Sequence, residues 1–172
     1  MLKVPPTSFN LKMKILFCGY GRSGKDHGAM VLAKITGLRY AGSFSWAALP
    51  YMAHLLGVHP CQAWEQRHQN REIWKRELDH LRELDQCYLA REVLKTGDIA
   101  AGLRDKKEID AVRAEKLFDL IIWVDRPGTP VDPTVTYGPA DCDEIIWNDG
   151  TLEDYHETLI RLAYRFDLLP TP

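Results

Sequence analysis

A glycine-rich segment at residues 19–26 carries the residue types and the spacing that phosphate binding requires. It reads Gly-Tyr-Gly-Arg-Ser-Gly-Lys-Asp and follows an apolar run at 14–18. The pattern G-x-x-x-x-G-K lets glycines bend the backbone so that successive N–H groups point at a phosphate. A following helix adds the positive end of its dipole, and Lys25 brings a full charge to the β- and γ-phosphates. The segment predicts an ATP site made by Gly19, Gly21, Arg22, Ser23, Gly24, Lys25, Asp26 and His27.

Asp26 departs from the usual pattern, in which a Ser or Thr offers its hydroxyl to Mg²⁺. Oxygen ligands suit Mg²⁺, so a carboxylate here could hold the ion directly or through water. The same negative charge is unfavourable beside a triphosphate unless a metal ion offsets it. The alternative is that Asp26 only caps the following helix by accepting backbone N–H bonds. We predict the metal role, with Mg²⁺ at Asp26.

Phosphoryl transfer needs positive charge around the migrating group and exclusion of water, and little covalent chemistry. Lys25 and Arg22 supply charge from the loop, while Arg104 and Arg126 each follow a predicted strand. We predict these four residues as the catalytic set. Each arginine has the alternative role of a solvated surface charge.

The region at about 43–95 is predicted to bind the acceptor, through Ser43, Phe44 and Arg71 together with Arg104. Phe44 could stack on a base, although an aromatic side chain in the first turn of a helix more often belongs to the core.

No Asn-Lys-x-Asp motif of the GTPase type occurs in the chain. The pattern therefore favours a small-molecule kinase, in which a second substrate lies opposite the γ-phosphate.

Apolar runs alternate with helical patterns along the chain. Strands are predicted at 14–18, 38–41, 99–103, 119–124 and 145–148. Helices are predicted over 24–36, 43–56, 61–84 and 85–95, and after N-caps at Asp105 and Thr151. The alternation predicts an α/β fold of three layers, α/β/α, with a parallel sheet and the phosphate site at the carboxyl ends of its strands.

Two helices show a periodic apolar stripe. The stripe predicted for 61–84 is Trp64, Arg71, Trp74, Leu78 and Leu81. The stripe predicted for the last helix is Leu152, Tyr155, Leu159, Leu162 and Phe166. Steps of three and four residues place each set on one face of a helix.

A turn-rich stretch at about 126–140 separates the fourth strand from the fifth. It holds four prolines, and no Lys or Arg follows Arg126 within it. A loop of this length in a compact domain is typical of a lid or a binding loop. We predict a lid there, within a single domain at 13–172, and a flexible N-terminal tail at 1–12. Met13 is an alternative natural start.

Composition restricts the partners of this chain. Its 172 residues suit one domain, and 22 basic and 24 acidic residues leave a net charge of -2. Without a basic field, neither a nucleic-acid polymer nor a membrane is an expected partner, and no apolar run approaches the ~20 residues of a membrane helix. The four cysteines match no zinc spacing, which favours reduced thiols in a cytoplasmic protein.

Four pieces of the chain are similar to the phage deoxynucleoside monophosphate kinases, which have the P-loop nucleoside monophosphate kinase fold. They are the segment at 19–26, Gly-Leu-Arg-Asp-Lys-Lys-Glu at 102–108, Trp-Val-Asp-Arg-Pro at 123–127 and Ile-Trp-Asn-Asp-Gly-Thr at 146–151. The resemblance covers about residues 13–165. It implies transfer of phosphate from ATP to a (deoxy)nucleoside monophosphate, in the host cytoplasm if the protein is phage-encoded. It also implies that Arg104 faces the acceptor phosphate.

Two other functions are compatible with these residues. The Gly-Lys-Asp ending also resembles the animal-type phosphomevalonate kinases, so a phosphomevalonate-like or dephospho-coenzyme-A-like acceptor is one alternative. A regulatory P-loop protein that binds ATP and transfers nothing is the other. The accepted base, the preference for deoxyribose and the oligomeric state, including a homodimer, stay open.

Overall fold

The sheet has five parallel strands in a computed structural model that describes residues 13–170. The strands are β1 (Ile15–Cys18), β2 (Tyr40–Ser43), β3 (Ile99–Ala101), β4 (Leu120–Asp125) and β5 (Glu144–Trp147). Their order across the sheet is β2-β3-β1-β4-β5. The parallel sheet predicted from the sequence is confirmed, whereas the predicted tail at 1–12 lies outside the described residues.

Eight α-helices accompany the sheet within residues 13–170. They are α1 (Lys25–Thr36), α2 (Phe44–Ala47), α3 (Leu49–Leu56), α4 (Pro60–Glu65), α5 (Arg71–Leu84), α6 (Tyr88–Leu94), α7 (Lys106–Ala114) and α8 (Leu152–Arg165). Three predicted N-caps are confirmed, because Ser43, Asp105 and Thr151 each accept a backbone N–H bond from the first turn of a helix. None of these helices has the length and apolar composition that crossing a bilayer requires.

The hydrophobic core forms two layers, one on each face of the sheet, and β1 is buried between them. Leu16 and Cys18 pack with the side of the sheet that carries α2 to α7, and Ile15 and Phe17 pack with the side that carries α1 and α8. All four residues have no exposed surface. A central parallel strand is expected to be apolar throughout for this reason. The three-layer α/β/α architecture is confirmed.

The predicted helix at 61–84 is wrong as a single element. Helix α4 ends at Glu65, a 3₁₀ turn covers Gln66–His68, and α5 begins at Arg71. Only the α5 part of the predicted stripe is buried, namely Trp74, Leu78 and Leu81. Trp64 lies in α4, and its ring centroid is 4.9 Å from that of Trp46 in α2 and 6.4 Å from that of Trp74 in α5. Tertiary packing of this kind can outweigh a local helical pattern.

One helix start and one residue of a predicted apolar stripe also differ from prediction. The predicted helix at 85–95 begins only at Tyr88, because the Asp85 carboxylate accepts the N–H of Cys87 and closes a turn first. In α8, Tyr155, Leu159 and Leu162 are buried as predicted, but Leu152 is 54% exposed. Leu152 is the first residue of α8, one turn before the helix reaches α1.

A buried ion pair joins the helices α5 and α7. Arg82 Nε lies 3.1 Å from an oxygen of Glu108, a side chain without exposed surface. Burial raises the pKa of Glu108 above its usual value, and the charge of Arg82 opposes part of that rise. Removal of one partner of such a pair leaves an uncompensated buried charge.

We expect Arg82→Leu to lower the free energy of unfolding at pH 7 by about 3–5 kcal/mol. Without Arg82, the pKa of Glu108 in the folded protein rises further above its value in the unfolded chain. The folded variant then binds a proton more tightly than the unfolded chain does, so acidification from pH 7 toward pH 5 restores stability. Urea unfolding of both proteins across this range measures the effect.

Arg76→Leu is the matched control on the same helix, since the Arg76 side chain is 72% exposed. Its loss of stability is expected to stay below about 0.5 kcal/mol. A deficit of Arg82→Leu that is equal at pH 5 and pH 7 would contradict the role given to Glu108.

Candidate active site

The glycine-rich loop connects β1 to α1 in a conformation that needs its glycines. Gly19 has φ 140°, and a Cβ there would come within 2.7 Å of the Val124 carbonyl oxygen. Gly24 caps α1 at φ 96°, in the left-handed region. The Ser23 hydroxyl is buried and has no hydrogen-bond partner among the described residues. An unsatisfied polar group inside a strained loop fits a loop shaped to hold a ligand.

One cavity of about 200 Å³ lies between this loop and the helices that follow β2. Its loop side is formed by Gly19, Gly21, Lys25 and Asp26. The rest of its lining includes Ser43, Phe44, Ser45, Trp64, Arg67, Arg104 and Asp132. A larger space along α5 is lined by residues of that helix alone and lacks convergent groups from other elements.

Lys25 and Asp26 form a pair at the first turn of α1. The Lys25 ammonium lies 3.3 Å from the Asp26 carboxylate, which is the more exposed of the two. Asp26 accepts no backbone N–H bond among residues 13–170, and Gly24 caps α1 without a side-chain bond. The capping alternative for Asp26 is therefore wrong. The Asp26 carboxylate at the cavity fits Mg²⁺, which keeps several waters and takes its remaining ligands from substrate phosphates.

Ser43 and Phe44, which are both predicted to bind the acceptor, have different environments in the structure. Ser43 lies at the cavity and caps α2 through its hydroxyl. Phe44 also lines the cavity, but only 2% of its surface is exposed and its ring packs in the core. The burial of this ring contradicts the stacking role predicted for Phe44, whereas Trp46 in the same short helix is 49% exposed.

Arg67 takes the place at the cavity that the sequence assigned to Arg71. Arg71 is the exposed first residue of α5 and does not line the cavity. The Arg67 guanidinium lies 3.9 Å over the ring of Trp64 and donates to the Trp64 carbonyl oxygen. A stacked guanidinium keeps in-plane N–H groups for a ligand. Arg67 was missed because the break between α4 and α5 has no clear sequence signal.

Arg104 lies at the end of β3 and is oriented by the segment at 132–137. Its Nη1 donates to a carboxylate oxygen of Asp132 at 2.8 Å and to the Thr134 hydroxyl at 2.5 Å. Burial raises the pKa of Asp132, but hydrogen bonds from Thr134 and the charge of Arg104 hold it below its usual value. Arg104 thus keeps its Nε–Nη2 edge for a bidentate contact with an anion.

The predicted lid at 126–140 is attached to the end of β3 along its second half. The Tyr137 hydroxyl donates to the Leu103 carbonyl oxygen at 2.7 Å, and the Thr136 N–H donates to the Arg104 carbonyl oxygen at 2.9 Å. Tyr137 is buried in the core. The segment contributes an acidic residue, Asp132, to the cavity rather than basic ones.

Five other predicted site residues do not line the cavity, namely Arg22, Ser23, Gly24, His27 and Arg126. Arg22 and Arg126 are exposed, and neither side chain forms a hydrogen bond or ion pair within the part of the chain that the structure describes. His27 contacts α8, with its Nε2 2.9 Å from Nε2 of His156. Two steps of 100° separate His27 from Lys25 on α1, so the two side chains lie on opposite faces.

Two residues that the sequence analysis did not select hold the back of the loop. Asn148, which follows β5, donates from Nδ2 to the Ser23 carbonyl oxygen at 2.9 Å. Tyr155, on α8, donates from its hydroxyl to the Gly24 carbonyl oxygen at 3.2 Å. Both residues are more than 120 positions from the loop in the sequence, so only the folded structure brings them into contact with it.

The structure is similar to the crystal structure, at 1.7 Å resolution, of shikimate kinase from Bacteroides thetaiotaomicron. The TM-score is 0.53 and the sequence identity 11%, and the match covers 90% of this chain and 98% of that chain. No protein-family model matches the sequence, and no curated protein does. At this identity the likeness shows the fold alone. The chain has the three-layer α/β/α fold of that structure, with a glycine-rich loop after β1, as its sequence predicts.

Proposed function

We propose that this protein is an ATP-dependent kinase that converts (deoxy)nucleoside monophosphates to diphosphates. The observation that carries the proposal is the single cavity in which Lys25 of the loop faces Arg67 and Arg104. Phosphoryl transfer requires a phosphate cradle and a second substrate side by side, with positive charge between them. Two arginines on the acceptor side favour an acceptor that is itself an anion.

The donor side of the site is assigned to the loop and the start of α1. Backbone N–H groups of the loop and the positive end of α1 hold the phosphates, and Lys25 contacts the β- and γ-phosphates. Asp26 would hold Mg²⁺ together with phosphate oxygens and water, and the bound ion would neutralise charge on those oxygens. Arg22 in the loop and Arg126 after β4, both exposed, remain proposed contributors of charge.

The acceptor side is assigned to Arg67 and Arg104, with Ser43 as a further polar contact. Arg104 offers one free edge while Asp132 and Thr134 hold the other, so the guanidinium is pre-oriented. Trp64 does the same for Arg67 through its ring. A phosphate between two oriented arginines gains affinity because little side-chain freedom is lost on binding. The nucleotide nature of the acceptor rests on the similarity of the segments at 19–26 and 102–108.

An acceptor panel tests the proposal. ADP release by the wild-type protein is expected with one or more nucleoside or deoxynucleoside monophosphates, and not with phosphomevalonate, dephospho-coenzyme A or shikimate. Lys25→Ala should fold and lose at least ~100-fold in turnover, the scale of one preorganised transition-state contact. ADP release that needs no acceptor would support the regulatory alternative, and release only with a non-nucleotide acceptor would contradict the nucleotide assignment.

Arg67 and Arg71 form a matched pair of variants, since both are arginines of the acceptor region. Arg67→Ala is expected to raise KM for the acceptor about 10- to 100-fold, because a charged hydrogen bond is lost. KM for ATP should stay within about two-fold, as Arg67 lies on the acceptor side. Steady-state kinetics with each substrate varied provide the measurement. An equal rise in Arg71→Ala would contradict the placement of Arg67.

Asp26→Asn removes the charge at the first turn of α1 and keeps the size of the side chain. It is expected to raise the Mg²⁺ concentration needed for half-maximal rate, because an anionic oxygen ligand is lost. Binding of ATP without metal should hold or improve, since repulsion between the carboxylate and the triphosphate is removed. Asp110→Asn, on the exposed face of α7, is the control. Coincident Mg²⁺ titration curves for Asp26→Asn and wild type would exclude the metal role.

A further inference from the structure

The turn after β5 and the first turns of α8 lie against the loop on the side away from the cavity. They include most of the segment at 146–151, which resembles the phage deoxynucleoside monophosphate kinases and has no role in the proposed reaction. Asn148 Nδ2 donates to the Ser23 carbonyl oxygen at 2.9 Å, and the Tyr155 hydroxyl donates to the Gly24 carbonyl oxygen at 3.2 Å. Both bonds end on loop carbonyl groups rather than on side chains.

Because peptide units are planar, the hydrogen bonds to the two carbonyl oxygens also fix the direction of the N–H groups that follow them. A trans peptide unit is planar, so its C=O and N–H bonds point in opposite directions. When Asn148 holds the Ser23 carbonyl outward, the N–H of Gly24 must point away from Asn148. In the same way, Tyr155 at the Gly24 carbonyl sets the direction of the Lys25 N–H. These are N–H groups at the end of a phosphate loop, where an anion is bound.

The two loop carbonyl oxygens differ in how many hydrogen-bond donors they have. The Gly24 carbonyl oxygen already accepts the N–H of Gly28 at 2.8 Å, so Tyr155 is its second donor. The Ser23 carbonyl oxygen has Asn148 as its only hydrogen-bond donor within residues 13–170. Asn148 is therefore the residue on which the orientation of the Ser23–Gly24 peptide depends.

Residues on both α1 and α8 allow the starts of these two helices to approach each other closely. A Cβ at Gly24 would come within 2.5 Å of Asn148 Nδ2, and a Cβ at Gly28 would overlap the Tyr155 hydroxyl. On the other side, Thr151 and Asp154 form a reciprocal capping box that starts α8. The start of α8 places Tyr155 with only 2% of its surface exposed. Glycines on α1 and a capped start on α8 thus bring Asn148 and Tyr155 to the loop.

We propose that Asn148 is a positioning residue for the donor phosphates, with Tyr155 in a secondary role. It acts through the Ser23–Gly24 peptide, whose N–H it directs toward the bound phosphate. This inference rests on the proposed ATP site. A merely structural role, in which Asn148 only ties α8 to α1, predicts a loss of stability without a change in nucleotide affinity.

Direct binding of ATP with Mg²⁺, measured by calorimetry at a temperature where every variant is folded, separates the two roles. Asn148→Ala is expected to raise the Kd for ATP about 10-fold, the loss of one hydrogen bond that orients a ligand-binding group. Asn148→Asp should bind at least as weakly, because a carboxylate cannot donate to the Ser23 carbonyl. Tyr155→Phe should raise Kd only about three-fold, since Gly28 still holds the Gly24 carbonyl.

Leu159→Ala is the control for stability alone. Leu159 lies on α8 with no exposed surface and makes no contact with the loop through hydrogen bonds. It should lower Tm without changing the Kd for ATP. An unchanged Kd in Asn148→Ala, or an equal rise in Leu159→Ala, would overturn the inference and leave the proposed function standing. Absence of ATP binding by the wild-type protein would overturn the proposed function, and the inference with it.

Discussion

The alignment of three buried parallel strands is the constraint on which the rest of the structure depends. Ile15 of β1 lies in register with Ile99 of β3 and with Leu120 of β4. Parallel strands end at the same edge, so the segments after these strands open side by side. A shift of β1 by one residue would exchange the two faces that its side chains fill. The register therefore brings Lys25 and Arg104 to one cavity although they are far apart in the sequence.

Local patterns account for what the sequence predicts well. The glycine loop, the strands and the caps at Ser43, Asp105 and Thr151 depend on neighbouring residues, and all are present in the structure. The choices of Phe44 as a stacking ring and Arg71 as a cavity residue failed for a different reason. Which face of a short helix is buried depends on helices met later in the chain. Asn148 was not selected for the same reason, because its partner Ser23 belongs to the first loop.

The segment at 126–140, the predicted lid, brings no basic side chain to the cavity but contacts Arg104, which lines it. Hydrogen bonds to residues 103–106 attach the segment to the end of β3, where Asp132 and Thr134 hold Arg104. In this arrangement the segment adds no positive charge to the cavity. It limits the rotamers of Arg104, which we propose binds the acceptor, and this would lower the entropy lost on binding.

The charges of the cavity also explain why a metal ion suits this site. Lys25 pairs with Asp26 and Arg104 pairs with Asp132, whereas Arg67 stacks on Trp64. A triphosphate that takes Lys25 as its partner leaves the Asp26 carboxylate beside further negative charge. Coulomb repulsion at such short range is costly where water is partly excluded. Under the proposed function, a divalent cation held by Asp26 would remove that cost, so the exchange of partners by Lys25 would couple nucleotide binding to metal binding.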